Sequence, residues 1–326
     1  MTVSVAIATY NRAHMVAEAI RAAIHQTREP EEVVVADDAS TDRTVSVVEE
    51  ISRRDPRVVL IRRETNSGGV ANWNAAIDAT RGEFIAWCSD DDRFLPDHLE
   101  ASVEHLARHP EIGMVHSGFV DAIESRGRSE WVPRRLRAEQ PLMVNRNCLI
   151  RYLIRYYDWP FHPSTLVFRR AVWERTGPFD PAFVLADTDW FVRAAEHFAI
   201  ALLPRHGVLN RRHPGNWSNR IGSARMQLEI LEIVERAIGR RYPGAWPARI
   251  FWRTIWRANV RMRLMWTLGM RLAGGHEAAG CAAWRALVQC SFKSRVLDAM
   301  GCAAIRRWCA RRDAEIRGAG ENVSPL

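Results

Sequence analysis

What constrains this chain most is a rhythm in its first 117 residues. Short apolar runs at 3–8, 33–36, 58–61, 84–88 and 112–116 alternate with helical periodicities. The first of these helices carries Val16, Ala19, Ile20, Ala23 and Ile24 at i, i+3, i+4, i+7 and i+8, one face of a 3.6-residue repeat. Asp42 is placed to cap a second helix with Val45, Val48 and Ile51. A third, over 70–80, aligns Trp73, Ala76 and Ile77, and Pro96 suits the first turn of a fourth running to Arg108. Strands that are apolar on both sides are buried on both faces, and strand–helix repetition builds a mostly parallel sheet covered by helices. The expected class is therefore α/β, with a Rossmann-type sheet. Ligands of such sheets lie beyond the carboxyl ends of the strands, which directs attention to residues 9–12, 37–38, 66–69 and 89–92.

Those four segments carry the chain's most unusual chemistry. Asp90, Asp91 and Asp92 directly follow the fourth strand. Three adjacent carboxylates repel one another and suit a hard divalent ion, Mg²⁺ or Mn²⁺, whose shell is completed by water and substrate phosphates. Asp37 and Asp38 end the second strand, where a carboxylate can accept from a base N–H or a ribose hydroxyl. Asn66-Ser67-Gly68-Gly69 opens a helix. Gly68 there allows a ligand close to the backbone, at a helix end that favours anions. No G-x-G-x-x-G follows the first strand and no G-x-x-x-x-G-K-[ST] occurs, so dinucleotide oxidoreductases and P-loop phosphotransferases find no support.

Composition narrows the class further. With 326 residues, 47% apolar and 26% charged, the chain has the material for a large folded domain and an appendage, and intrinsic disorder is excluded. No apolar run reaches the roughly 18–20 residues of a membrane span, and the N-terminal stretch lacks the basic start of a signal peptide. The six cysteines, at 88, 148, 281, 290, 302 and 309, form no C-x-x-C pair and read as reduced, mostly buried thiols. These features imply a cytoplasmic protein.

Taken together, V-S-V-A-I-A-T-Y-N-R (3–12), V-V-V-A-D-D-A-S-T-D-R-T (33–44) and the long segment from N-S-G-G to S-D-D-D-R-F-L-P (66–96) resemble family-two glycosyltransferases of the GT-A fold. The resemblance covers roughly residues 1–215. It implies a GT-A-like catalytic domain over 1–219, with a nucleotide-binding half (1–117) and an acceptor and base half (118–219). Thr9, Tyr10 and Arg12 would then line the nucleoside pocket, and Asp38 would contact the base or ribose. Asp90 would lie on the nucleotide side of the acidic motif and Asp91 would be the direct metal ligand, with Asp92 beside it. The usual D-x-D-D form has an acid where this chain has Ser89. Phe179-Asp180-Pro181 and Ala186-Asp187-Thr188-Asp189-Trp190 resemble the family's G-x-F-D and E-D-x-D segments. That makes Asp187 the candidate general base and Asp189 its alternate, with one of the two expected to cap the helix. His213 matches a histidine found near the metal and diphosphate. The implied reaction is an inverting, Mg²⁺- or Mn²⁺-dependent transfer from a nucleoside-diphosphate sugar to a saccharide or lipid-linked saccharide, as in cell-surface polysaccharide or glycolipid synthesis. The rival readings are a sugar nucleotidyltransferase, whose early Gly-rich loop with Arg and Lys is missing from 7–14, and a non-catalytic nucleotide-sugar-binding or membrane-associated protein.

The last third differs. Residues 1–219 hold 27 Arg against 30 Asp and Glu, whereas 220–326 hold 19 Lys and Arg against 8. The periodicity from 220 onward is helical, giving a basic helical extension. Within 249–271, Arg249, Arg253, Arg257 and Arg261 recur at steps of four opposite Phe251, Trp252, Ile255, Met262, Met265 and Trp266. Such a helix either docks its apolar face on the catalytic domain or lies on an anionic membrane, which would make the enzyme peripheral at the inner face. No recognition motif accompanies the charge, so nucleic acid is not an expected partner.

Overall fold

The computed structural model describes residues 1–125, 128–133, 142–144, 162–213, 215–216 and 223–241. The chain divides into two compact units, Met1–Arg220 and Ile221–Leu326. The first begins with β1 (Val3–Thr9), α1 (Val16–Ile24), β2 (Glu32–Asp37), α2 (Thr44–Arg54), β3 (Val58–Arg62), α3 (Gly69–Asp78), β4 (Phe84–Ser89), β5 (Arg93–Phe94) and α4 (His98–Arg108). It continues with β6 (Ile112–Ser125), β7 (Arg128–Pro133), β8 (Leu142–Val144), a 3₁₀ turn (Pro163–Thr165), β9 (Leu166–Arg169), α5 (Arg170–Thr176), α6 (Ala186–Ala194) and β10 (Ala199–Arg212).

The strands form one sheet of order β3-β2-β1-β4-β9-β6-β10-β5, with β7 on β6 and β8 on β10. From β3 to β4 every pairing is parallel. The apolar runs explain this: β1, β2 and β4 are buried along almost their whole length, as strands covered on both faces must be. Beyond β4 the sheet departs from the expected parallel continuation. The four-residue β9 inserts antiparallel between β4 and β6, and β10 then runs parallel to β6 over fourteen residues. The expected fifth strand at 112–116 is the start of this long β6. Residues 128–133 return along 120–125 as an antiparallel strand.

The helices present the faces their periodicity predicts. Val16, Ala19, Ile20, Ala23 and Ile24 of α1 are buried, as are Leu99, Val103 and Leu106 of α4. They join Val5, Ile7, Val33, Val35, Phe84 and Ala86 in the main core, where each Val, Leu, Ile or Phe side chain contributes about 1.5–3 kcal/mol on burial. On α3, Ala76 and Ile77 are buried, and Trp73 stacks edge-on to Trp87 at 5.0 Å. Asn74 ties α3 to the later segments: its side chain donates to Phe179 O at 3.0 Å and accepts from Phe179 N at 2.9 Å. Trp190 of α6, fully buried, meets Phe168, Trp173 and Phe179 at 5.2–5.9 Å between ring centroids.

In the second unit, α7 (Ser223–Arg241) is helical, as the sequence implies. Ile233, Val234, Ala237 and Ile238 are buried, and Arg225–Glu229 and Arg236–Glu232 pair at i,i+4. No described helix is long and apolar enough to cross a membrane. The basic segment 249–271 and every cysteine except the buried, unpaired Cys88 lie outside the described residues.

Candidate functional site

The carboxyl ends of β1, β2 and β4 converge, and the turns leaving them are locked to each other. Thr9 ends β1 with its hydroxyl donating to Asp90 Oδ2 at 2.7 Å. Tyr10, next along, is exposed and gives Asp90 a backbone hydrogen bond. Asn11 adopts a left-handed φ of 53°, which frees its side-chain oxygen to accept from Thr41 N at 2.8 Å and Asp42 N at 3.3 Å. Asp42 in turn accepts from the N–H of Thr44, the first residue of α2, at 2.8 Å, although the cap position itself falls to Arg43. Arg12 reaches two ways: Nε is 3.9 Å from Asp90 Oδ1 and a terminal nitrogen donates to Gly215 O at 2.9 Å.

Asp38 is buried and clamps the glycine turn. Its two oxygens accept from Ser67 N and Gly68 N, each at 2.9 Å, while Arg63 Nε approaches at 3.5 Å. Gly68 has φ 87° and ψ 156°, a conformation essentially reserved for glycine. Asp38 and Gly68, singled out separately in the sequence, are therefore one bonded unit. The neighbouring Asn72 is buried and donates to Thr9 O at 3.2 Å and Ala36 O at 2.9 Å, which fixes α3 against β1 and β2.

The three adjacent aspartates point three ways. Asp90 turns to Thr9 and Arg12. Asp91 Oδ2 accepts from His213 Nε2 and from Asn216 Nδ2, both at 3.1 Å. Asp92 turns inward: Oδ1 accepts from Arg211 N at 3.1 Å and Oδ2 from Ser164 Oγ at 2.5 Å. Ser164 also bridges to the end of β4, accepting from Ser89 N at 3.0 Å. Asp92, expected beside the metal, is thus a buried strut joining the acidic turn, the 3₁₀ turn and β10. Burial, and next the charge of Asp91, raises Asp90 to about 7, although Thr9 and Arg12 oppose the rise. The same two causes push Asp92 well above the usual carboxylate range.

His213 is anchored through both ring nitrogens. Gly215 N–H donates to Nδ1 at 3.1 Å, which leaves the ring proton on Nε2 to be donated to Asp91. Nearby, His162 stacks on Phe119 at 5.0 Å with Nδ1 3.7 Å from Asp92 Oδ2, and burial lowers it to about 4. Asp121 is buried and accepts from Asn210 at 2.6 Å and from Arg212 Nε at 2.9 Å, which leaves Arg212 at the same rim.

Of the two candidates on α6, Asp189 is buried and paired to Arg193 at 2.7 Å, whose remaining nitrogens donate to Thr176 O and Pro178 O. Asp187 is half-buried in the first turn, its Oδ1 accepting from Thr188 N at 2.7 Å. Neither occupies the cap position, which falls to Leu185. The contacts thus unite Thr9, Tyr10, Arg12, Asp90, Asp91 and His213, with Asp38 and Gly68 on the adjoining turn. Reading the sequence missed Asn216, Ser164 and the amide of Arg211. Only Asn216 carried a signal, in the turn-forming His-Pro-Gly-Asn string.

A divalent ion is implied by this acidic motif, and Asp91 offers the carboxylate oxygen that Mg²⁺ or Mn²⁺ takes, with His213 Nε2 beside it, 3.1 Å from Oδ2. Among the described residues no three acidic, histidine or cysteine side chains cluster as a complete ligand set.

Comparison with known proteins agrees with this architecture. An uncharacterised Mycobacterium tuberculosis protein is 32% identical over 222 residues, which cover 66% of this chain and 60% of that protein, so the chain spans about 60% of such a relative's length. The structure of Staphylococcus aureus TarS 1–349 in complex with UDP-GlcNAc is 21% identical with a TM-score of 0.65, covering 91% of this chain and 83% of TarS 1–349. The mannosyltransferase PcManGT of Pyrobaculum calidifontis, in complex with GDP-Man and Mn²⁺, is 20% identical with a TM-score of 0.51, covering 98% of this chain and 86% of its own. The mixed sheet flanked by helices is therefore a GT-A-like fold. The sequence profile "Glycosyl transferase family 2" matches residues 4–173, more than half of the chain, and the chain belongs to that family.

Proposed function

We propose that this protein transfers a sugar from a nucleoside-diphosphate sugar to a hydroxyl acceptor, with inversion at the anomeric carbon. The observation that carries the reading is the meeting of Thr9, Arg12, Asp90, Asp91 and His213 at the carboxyl edge of the sheet. Tyr10 and the Asp38–Gly68 turn flank that edge and make the nucleoside side of the pocket. Arg12 and Arg212 supply fixed positive charge toward the diphosphate. Asp91 and His213 are the residues that would hold Mg²⁺ or Mn²⁺. When bound, the ion supplies charge neutralisation for the departing nucleoside diphosphate. His213 joins that set by moving its ring proton from Nε2 to Nδ1, which requires the Gly215 amide to turn away. Asp92 keeps its structural role. The UDP-GlcNAc complex of TarS and the GDP-Man and Mn²⁺ complex of PcManGT support the donor class and the ion.

Asp187 is the base. Its half-buried carboxylate takes the proton of the acceptor hydroxyl as that oxygen bonds to the anomeric carbon and the carbon–oxygen bond to the diphosphate breaks. A single base with no second nucleophile yields inversion. Asp189 is committed to Arg193 and holds α6 in place. A saccharide or lipid-linked saccharide acceptor, and peripheral membrane contact through 249–271, complete the proposal. An assay of nucleoside-diphosphate release across a donor panel tests it. Asp187→Asn should lower turnover about 10²–10⁴-fold with donor affinity retained, and turnover within a few-fold of the unsubstituted enzyme would remove Asp187 as the base.

A further inference from the structure

Asn216 makes contacts out of proportion to a residue in a short turn. Its Nδ2 donates to Asp91 Oδ2 and to Arg211 O, each at 3.1 Å, while its Oδ1 accepts from His213 N at 2.6 Å. One carboxamide therefore holds the main chain on both sides of Arg212 and grips a carboxylate 125 residues earlier. The segment it organises is fastened elsewhere too, to the turn after β1 by Arg12 donating to Gly215 O and to the acidic turn by Arg211 N donating to Asp92. Among the described residues, both hydrogen bonds to the Asp91 side chain land on Oδ2. A carboxylate gripped on one oxygen loses its freedom to rotate, so its plane and the direction of Oδ1 are set before any ligand arrives.

We propose that Asn216 is a positioning residue for the cation–diphosphate site: it fixes the plane of the Asp91 carboxylate and the seat of the His213 ring, so that both are presented together. The inference rests on the assignment of the ion to Asp91 and His213 above. Residues that hydrogen-bond a ligating carboxylate typically contribute 10–100-fold to metal affinity, and Asn216 is placed to do so through Nδ2. Its Oδ1 holds the backbone from which the His213 ring springs.

Two variants of the full chain separate these roles. Asn216→Ala removes both functions. Asn216→Ser retains a hydroxyl able to accept from His213 N but has no atom at the place of Nδ2. Binding of Mn²⁺ in the presence of UDP, followed by the paramagnetic resonance of the free ion, is expected to weaken about 10–100-fold in both variants. Thermal melting should stay near that of the unsubstituted chain. In steady-state kinetics the loss should appear at low Mn²⁺, with kcat returning to within about twofold at saturating Mn²⁺, a rescue that a damaged fold would not show. Unchanged Mn²⁺ affinity in either variant overturns the inference; with serine alone unaffected, Asn216 only shapes the turn. Failure of the unsubstituted chain to bind Mn²⁺ would instead remove the ion assignment itself, and this inference with it.

Discussion

Asp90 and His98 are buried in the same unit and respond to pH in opposite senses. Burial, and then the charge of Asp91, lifts Asp90 from 3.8 to about 7, so between those values the folded chain holds a proton that the unfolded chain has released. Its contribution to stability falls as pH rises through that window. Burial alone lowers His98 from 6.5 to about 3, so the unfolded chain binds the extra proton and stability is lost as pH falls below 6.5. The two trends offset each other in the whole protein and separate in variants. Denaturant unfolding at pH 5 and pH 8 should show Asp90→Asn gaining stability relative to the unsubstituted chain at pH 8, with that gain much smaller at pH 5. The deficit of His98→Gln should shrink by about 2 kcal/mol over the same change. A difference that stays flat with pH would refute the burial account of that group. The three aspartates are alike in composition and adjacency, and the turn that splays them gives Asp90, Asp91 and Asp92 separate partners.

The glycine turn and the inserted strand show what local pattern reveals and what it hides. Asn66-Ser67-Gly68-Gly69 was legible as a turn opening a helix, because glycine supplies conformations that other residues avoid. That Asp38 clamps it was not, since the two lie about thirty residues apart on separate strands' ends. A Cβ on Gly68 would meet nothing within 4 Å, so the effect of Gly68→Ala is backbone strain alone. The expected loss is about 1–3 kcal/mol, read from equilibrium unfolding, and a variant as stable as the parent would mean that the turn relaxes into another conformation. β9 is a short apolar run whose place in the sheet leaves no local trace. Four residues fit any sheet position, and what sets its antiparallel seat is long-range: Met114 and Val115 on one side, Ile85 and Ala86 on the other. Asn216 was hidden for the same reason, since a grip spanning 125 residues leaves no periodic trace.

At the scale of the molecule, the first unit was readable because its buried parallel strands are continuous apolar runs and each ends in polar residues. Those ends share one edge, which is why four scattered motifs become a single site. The later part of the unit was less legible: Asp187 and Asp189 are two residues apart on one helix, and the Arg193 pairing of Asp189 is what sets them apart. The charge asymmetry toward 220–326 belongs to a unit described only over 223–241. The central claim is that Asp91 joins a divalent cation to a nucleoside diphosphate at this edge. Calorimetric titration of UDP and GDP into the full chain, with and without Mn²⁺, tests it most directly when repeated on Asp91→Asn. The account predicts that at least one nucleotide binds in an Mn²⁺-dependent manner and that the substitution removes this dependence. Equal Mn²⁺-dependent binding by the parent and Asp91→Asn would contradict it.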